Sequence, residues 1–510
     1  MSRSSSEETQ GPGLDELVSS GYGIDATTKL TPEENVIAMQ VRKKVDYRIL
    51  PITLVVYLLD FVDRSNYSTA RLQGLEADLG LTESEYQAGL SLFFVGYLLG
   101  QVPANLLLNQ FARPSYHLAF FTCIWGIIST CTGLSQGFRT LAMCRFLLGF
   151  AEAPFFPGVV FCLSKWYTKQ ELAFRVAIFS SGNLISGAFA SLIAAGILEG
   201  IGHARGLAPW QWLYLVTGPV TILVGLFVWI ILPDFPENWK GLSPEERRVA
   251  ILRVAIDGSQ ADIDEPGMTQ FKGLLMALTD VNTYVLGLAY MCIIGSVGFG
   301  LFLPSLTASL GYSHTVSLLL CTPPYIFMTI WLIVHSWLSD KWNSRFWFYM
   351  YPLPISIVGF VVFMAVDPAM FTARYVSLFL MPFVSASAVS AFSWVSSSIS
   401  RPPAKRAAAF AIINCFATSA SIWVPFVYIA PRYTMAMIIN IVLCVCAGIL
   451  GVVHLYVLVW RNRKLARIEE GSASIPASPG RDDVRMEGSD AKDVEKVSRL
   501  GLNRGFRYML

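Results

Sequence analysis

The sequence predicts an all-α membrane protein of twelve transmembrane helices in two six-helix bundles. Three observations predict it. First, 54% of the 510 residues are hydrophobic, only 15% are charged, and the mean hydropathy is +0.51. A soluble chain carries about a quarter charged residues. Second, the apolar residues fall into blocks of about 20, the length a helix needs to cross a bilayer. Third, the longest polar stretch, residues 233–280, leaves six blocks on either side. Backbone polar groups cannot go unpaired in lipid, so the blocks are read as helices. A β-barrel would need shorter, alternating segments, and the sequence offers none.

Residues 1–46 are polar and Ser-rich and have no signal-peptide core, so they read as a disordered cytoplasmic N-terminus. Spans are expected near 47–68, 86–108, 116–136, 141–163, 175–198 and 211–232, which makes 47–232 the N-terminal bundle. Thr82-Glu83-Ser84-Glu85 is a capping box introducing the second span. Asn66-Tyr67-Ser68 matches a glycosylation sequon, but Asn66 lies at the end of the first span and is expected to be unmodified. Leu232-Pro233-Asp234-Phe235-Pro236 ends the sixth span through its prolines. Within the cytoplasmic loop 233–280, Ser243-Pro244-Glu245-Glu246 opens a short charged helix, with Ser243 as N-cap and Glu246 as the capping acid. The remaining spans, near 281–304, 314–337, 346–366, 373–396, 406–429 and 434–460, form a C-terminal bundle over 281–460. Residues 461–510 read as a disordered cytoplasmic tail.

Orientation follows from the basic residues. Arg42, Lys43, Lys44 and Arg48 precede the first span, and Lys165 and Lys169 follow the fourth. Lys341 and Arg345, then Arg401, Lys405 and Arg406, then Arg461, Arg463 and Lys464 fall on that same side if the spans alternate. This places both termini in the cytoplasm. Arg71, Arg139, Arg205, Arg374 and Arg432 are exceptions on the opposite side. The nine cysteines are scattered without metal-ligand spacing and read as small buried hydrophobes. There is no P-loop and no nucleophile constellation around the five histidines, which argues against ATP-driven transport and against soluble enzyme chemistry.

The chemistry is carried by charges inside apolar segments. Such charges cost several kcal/mol unless paired, hydrated or used. Arg145 and Glu152, in the fourth span, are seven residues apart and share a helix face, with Gly149 between them. Pro154 and Pro157 then bend the segment. The competing reading is an ion pair that only locks packing. In the first span, Asp60, Asp63 and Arg64 arrive together after an apolar run from Ile49 to Leu59. Either the helix continues and these charges line a cavity, or it has ended and they sit among headgroups. Asp60 and Arg64, four apart, are spaced to pair. Tyr97, Gln101, Asn183, His335, Ser393, Trp394 and Asn414 are weaker signals, each readable as interhelical glue.

Leu59-Asp60-Phe61-Val62-Asp63-Arg64-Ser65-Asn66 resembles the first-helix signature of the anion:cation symporter family of the major facilitator superfamily. Arg145-Phe146-Leu147-Leu148-Gly149-Phe150-Ala151-Glu152-Ala153-Pro154-Phe155-Phe156-Pro157-Gly158 resembles its fourth-helix motif, and Leu163-Ser164-Lys165-Trp166-Tyr167 continues the match. The resemblance covers about 40–465 and is nearest the fungal branch, whose members carry allantoate, nicotinate, pantothenate and similar organic anions. It implies two six-helix bundles working by alternating access, with Asp63 and Glu152 as proton-coupling acids and Arg64 and Arg145 on the substrate's anionic group. Tyr97, Asn183, Trp394 and Asn414 match positions lining the same cavity. Three departures stand out: Asp60 is an extra acid, Pro154 replaces a glycine, and the loop after the second span lacks the superfamily's acidic residue.

The implied activity is proton-coupled symport of a small organic anion such as a vitamin, ureide or other carboxylate. Export of an acidic secondary metabolite, and a non-transporting nutrient sensor, are the alternatives. The expected partners are the anion, protons and the lipid bilayer, with no nucleic acid and no cofactor. The chain is expected to act as a monomer in the plasma membrane.

Overall fold

The computed structural model describes residues 30–110, 113–201, 204–259, 270–342, 344–367, 370–399, 403–429 and 432–473. Among them every regular element is helical. By contacts the chain divides into two units: Met1–Ala261 with Leu303–Thr329, and Asp262–Phe302 with Ile330–Leu510.

Unit 1 begins with α1, Pro32–Leu72. It starts well before the expected first span because Thr31 and Glu34 form a capping box around Pro32 at the first turn. Residues 32–46, read from composition as disordered, are therefore helical. α1 also continues through Asp60, Asp63 and Arg64, which excludes the headgroup reading of those charges. After α2 (Leu75–Leu79), the Thr82–Glu85 box opens α3 (Glu83–Gln110) as the sequence predicts. Then come α4 (Pro114–Thr132), α5 (Phe138–Glu152), α6 (Phe155–Trp166), α7 (Lys169–Gly200) and α8 (Pro209–Ile231). The fourth apolar block is thus two helices, broken at Ala153-Pro154 where the proline supplies no N–H.

α3 and α5 pack at backbone distance. A Cβ on Gly149 would lie 2.0 Å from the Phe93 carbonyl oxygen, and one on Gly96 would lie 2.1 Å from that of Phe146. Neither carbonyl can yield without shifting its helix. Gly149→Ala is therefore expected to lower stability by about 3 kcal/mol, the upper end for overpacking, read as a loss in thermal midpoint in detergent.

The charged helix α9 (Pro244–Ser259) is capped by Ser243 and Glu246 as predicted. It is held on the end of unit 1 where α1 begins. Arg253 donates to the Trp166 carbonyl at 3.0 Å, Arg248 pairs with Glu34 at 2.7 Å, and Glu246 pairs with Lys44 at 3.1 Å. Residues 303–329, which the sequence groups with the later helices, pack with unit 1. There the Tyr325 ring fills the space a side chain at Gly187 would need, and Thr315 donates to Glu199 at 2.7 Å.

The later helices are α10 (Gln270–Leu278), α11 (Val281–Val297), α12 (Leu303–Ala308), α13 (His314–Trp342), α14 (Arg345–Met350) and α15 (Pro352–Ala365). α16 (Phe371–Leu380), α17 (Val384–Ser398), α18 (Pro403–Trp423) and α19 (Thr434–Ala473) complete the chain. α19 runs past the expected end of the last span, so the tail is helical to Ala473. Helix occupies every apolar block read from the sequence. Among the described residues, eight helical spans are long and apolar enough to cross a membrane, four of them joining two consecutive helices (α5–α6, α11–α12, α14–α15 and α16–α17). Asp60, Asp63 and Arg64 keep α1 out of that set.

Candidate functional site

The charged residues of α1 and α5 meet inside unit 1. Asp60 and Arg64, one helical turn apart, pair as the spacing predicts: Arg64 Nη2 donates to Asp60 Oδ1 at 3.2 Å and lies 3.1 Å from Oδ2. Arg64 Nε donates to Glu152 Oε2 at 2.8 Å. One guanidinium therefore bridges two carboxyls from two helices. Asp60 and Glu152 are buried, and the Arg64 side chain keeps 18% of its surface. The guanidinium also lies 4.9 Å from the centroid of the Tyr97 ring, and 5.0 and 5.3 Å from those of Phe61 and Phe93. These π faces attract the cation and help fix its plane. Among the described residues nothing donates a hydrogen bond to Glu152 Oε1 or Asp60 Oδ2, and the two carboxyls neighbour each other. Glu152 is the last residue of α5, so the break at Pro154 sets where this carboxyl stands.

Asp63 stands apart from this trio. It faces α4 and α8, where Ser129 donates to Oδ1 at 3.0 Å and Thr221 donates to Oδ2 at 3.2 Å. Asn66 adds a longer contact at 3.4 Å and donates to Thr217 at 2.9 Å. Among the described residues Asp63 has no cationic partner, so Asp63 and Arg64, adjacent in sequence, serve different faces of α1. Asn66 is 1% exposed, which leaves no room for a glycan.

Arg145 is 1% exposed and has no carboxylate partner among the described residues. Its guanidinium lies 4.5 Å from the Tyr67 ring centroid and 5.0 Å from that of Phe93, and Nε makes one long contact, 3.4 Å, to the Gly89 carbonyl. Nη1 has no acceptor among the described residues. Tyr67 stacks on Tyr86 at 4.8 Å and donates to the Tyr86 carbonyl at 3.1 Å. Gly89 is required here, since a Cβ would lie 2.2 Å from the Tyr67 hydroxyl. Among the described residues the buried hydroxyls of Tyr86 and Tyr214 also have no partner. The surroundings of Arg145 thus offer rings and hydroxyls but, among the described residues, no carboxylate, unlike the Arg64 site. Arg145 and Glu152 share α5 but do not pair with each other; Glu152 instead pairs with Arg64 of α1, so an ion pair between the two α5 residues is excluded while an interhelical one is present.

The other candidates are dispersed. Tyr97 is half-buried under Arg64. In unit 2, Trp394 is fully buried, with ring centroids 4.6 Å from His454, 5.6 Å from Tyr349 and 6.0 Å from Phe346. Asn414 is exposed on α18. The side chain of Asn183 lies outside the described residues, as do residues 111 and 112 of the loop after α3. His335 of α13 is fully buried and joins Tyr351 at 2.6 Å and Ser390 at 2.8 Å. Sequence reading missed the hydroxyl cage of Asp63 and the tyrosines around Arg145. Ser, Thr and Tyr are common in apolar helices, and nothing in their spacing ties them to a charge on another helix.

The sequence pattern described as the Major Facilitator Superfamily matches residues 53–425. The chain belongs to the Major Facilitator Superfamily. It is a multi-pass membrane transporter of that type, and relatives agree. It is 31% identical over 416 residues to the MFS-type transporter cnsO of Penicillium expansum, covering 76% of this chain and 79% of that one. It is 33% identical over 310 residues to a quinolone resistance transporter of Acinetobacter baumannii, covering 60% and 69%. Among solved structures, the inward-facing, occupied bacterial homolog of the human lysosomal transporter Spinster matches with a TM-score of 0.60 at 16% identity, over 81% of this transporter and 97% of that chain. That likeness concerns the fold.

Proposed function

We propose that this transporter couples the movement of a small organic anion to protons, by alternating access between two six-helix bundles. The observation that carries the reading is Arg64 held between Asp60 and Glu152. Three acids (Asp60, Asp63, Glu152) face two arginines (Arg64, Arg145) in one unit, so the fully ionised set is one negative charge in excess. One proton between Asp60 and Glu152 neutralises it and satisfies the carboxyl oxygens that lack a donor. A second proton releases Arg64 from its internal partners and leaves the set positive, ready for an anion. Arg145, without a carboxylate, is the second anion contact. Asp63, assigned to proton coupling by resemblance, is better supported as the residue that orients α1 against α4 and α8. Tyr97 is supported as a contact by its place under Arg64. Asn183, Trp394 and Asn414 keep that role on resemblance alone.

Reconstitution tests this. Proteoliposomes under an inward proton gradient are expected to accumulate one member of a panel of vitamins, ureides, aromatic acids and sugar acids, and a protonophore is expected to abolish accumulation. Flux of the anion that is indifferent to the gradient would refute coupling. The quinolone resistance relative favours a second reading, outward transport through the same site. Inverted vesicles accumulating the anion while intact cells exclude it would select that direction. The basic residues flanking the spans support cytoplasmic termini, and the plasma membrane is the proposed location.

A further inference from the structure

Arg145 forms one end of a column of four stacked groups. Its guanidinium lies 4.5 Å from the Tyr67 ring centroid. The Tyr67 and Tyr86 rings are nearly parallel, at 7°, with centroids 4.8 Å apart. The Arg71 guanidinium in turn lies 4.5 Å from the Tyr86 centroid. Rings this close leave no room for a guanidinium between them, so the two arginines cap opposite ends of the pair. The column draws on three helices. Tyr67 and Arg71 are one turn apart on α1, Tyr86 belongs to α3 and Arg145 to α5. At the far end Arg71 Nε pairs with Glu76 of α2 at 3.0 Å, and Nη2 lies 3.6 Å from Glu83, the first residue of α3.

Hydrogen bonding does little to orient Arg145, whose contact to the Gly89 carbonyl is long, 3.4 Å. Its plane is set by the rings it lies against. A guanidinium held on a ring face carries its N–H groups at the edge, where a carboxylate can be gripped by two parallel bonds. The column transmits that constraint. Tyr67 is fixed through its hydroxyl, which donates to the Tyr86 carbonyl at 3.1 Å, and by the close approach of Gly89. Tyr86 is fixed differently. It is fully buried, yet among the described residues its hydroxyl has no partner. Its ring is held by Tyr67 on one face and by Arg71 on the other. Arg71 therefore closes the column, and Glu76 and Glu83 hold Arg71 in place.

We propose that Tyr86 and Arg71 are positioning residues for the anion contact at Arg145. They clamp Tyr67, and Tyr67 fixes the plane in which the Arg145 fork meets a planar carboxylate. Two stacked rings stand between Arg71 and Arg145, so Arg71 acts on the anion through them. This proposal rests on the reading of Arg145 as an anion contact.

The test uses the full chain in proteoliposomes. The probe is the radiolabelled panel anion that the wild type accumulates, with initial uptake followed across its KM. Tyr86→Leu removes the ring and is expected to raise KM about fivefold, with a smaller change in kcat. Tyr86→Phe returns the ring without the hydroxyl and is expected to recover the wild-type KM. A KM as high in Tyr86→Phe as in Tyr86→Leu would make the hydroxyl itself the contact and overturn the positioning role. Arg71→Gln, whose acidic neighbours Glu76 and Glu83 keep 28% and 35% of their side-chain surface, gives a milder perturbation and is expected to raise KM about threefold. Both effects are then measured again in Arg145→Gln. If the column acts through Arg145, Tyr86→Leu and Arg71→Gln change KM no further in that background. Full additivity would mean that Arg71 attracts the anion as a distant charge, or that Tyr86 only supports the fold, and would overturn the proposal. An Arg145→Gln variant with wild-type KM refutes instead the reading of Arg145 on which the column depends.

Discussion

Glu152→Gln and Asp60→Asn should each abolish proton-driven accumulation while leaving passive exchange of the anion intact. One proton per substrate yields about tenfold accumulation for each unit of pH gradient, so the measured ratio in proteoliposomes should fall from about tenfold to unity. The fold should survive either change. Arg64 retains one carboxylate in both variants, through the 2.8 Å bond to Glu152 or the 3.2 Å bond to Asp60. Asp63→Asn provides the contrast. Its oxygens accept from Ser129 and Thr221, so the amide upsets a hydroxyl cage and not a charge balance. The expected loss is about 1–3 kcal/mol of stability, with the accumulation ratio unchanged. If Asp63→Asn uncouples and Asp60→Asn does not, the proton site is the one the resemblance implies and the bridged pair is structural. Arg64→Ala would not discriminate, because two buried carboxyls without their cation cost about 3–5 kcal/mol.

The contrast between Asp60 and Asp63 also marks how far the sequence was legible. Periodicity alone put Arg145 and Glu152 on one face of α5, and capping chemistry located the starts of α3 and α9. Spacing alone suggested that Asp60 and Arg64 would pair, and they do. What could not be read was which neighbouring helix each polar face of α1 meets. Successive residues turn by about 100° on a helix, so Asp63 and Arg64 necessarily point to different neighbours. Whether either neighbour offers a carboxylate, a hydroxyl or a ring depends on packing between distant segments. The start of α1 was missed for another reason. Thr31-Pro32-Glu33-Glu34 carries the same signal as Ser243-Pro244-Glu245-Glu246, but polar composition around it masked a helix that is stabilised by α9 through Glu34 and Arg248.

Arg145→Gln should leave a folded transporter with a weakened grip on its anion. Removing most buried arginines strands a carboxylate, yet Arg145 has none to strand among the described residues, and its contacts are the Tyr67 and Phe93 rings and one long bond to Gly89. Glutamine keeps some donor capacity and much of the volume, so expression and thermal midpoint should stay close to wild type. The anion, however, loses a charge-assisted hydrogen bond worth about 1.5–3 kcal/mol, which corresponds to a rise in KM of roughly ten- to a hundredfold. Arg145→Lys should not restore it. An ammonium is a point charge that cannot lie flat against the Tyr67 ring while presenting a planar fork to a carboxylate. Initial uptake rates against concentration, measured for both variants at equal protein density, separate the outcomes. An unchanged KM in Arg145→Gln would remove Arg145 from the anion site. Recovery in the lysine variant would mean that charge alone, and not the geometry set by Tyr67 and Gly89, is what the anion recognises.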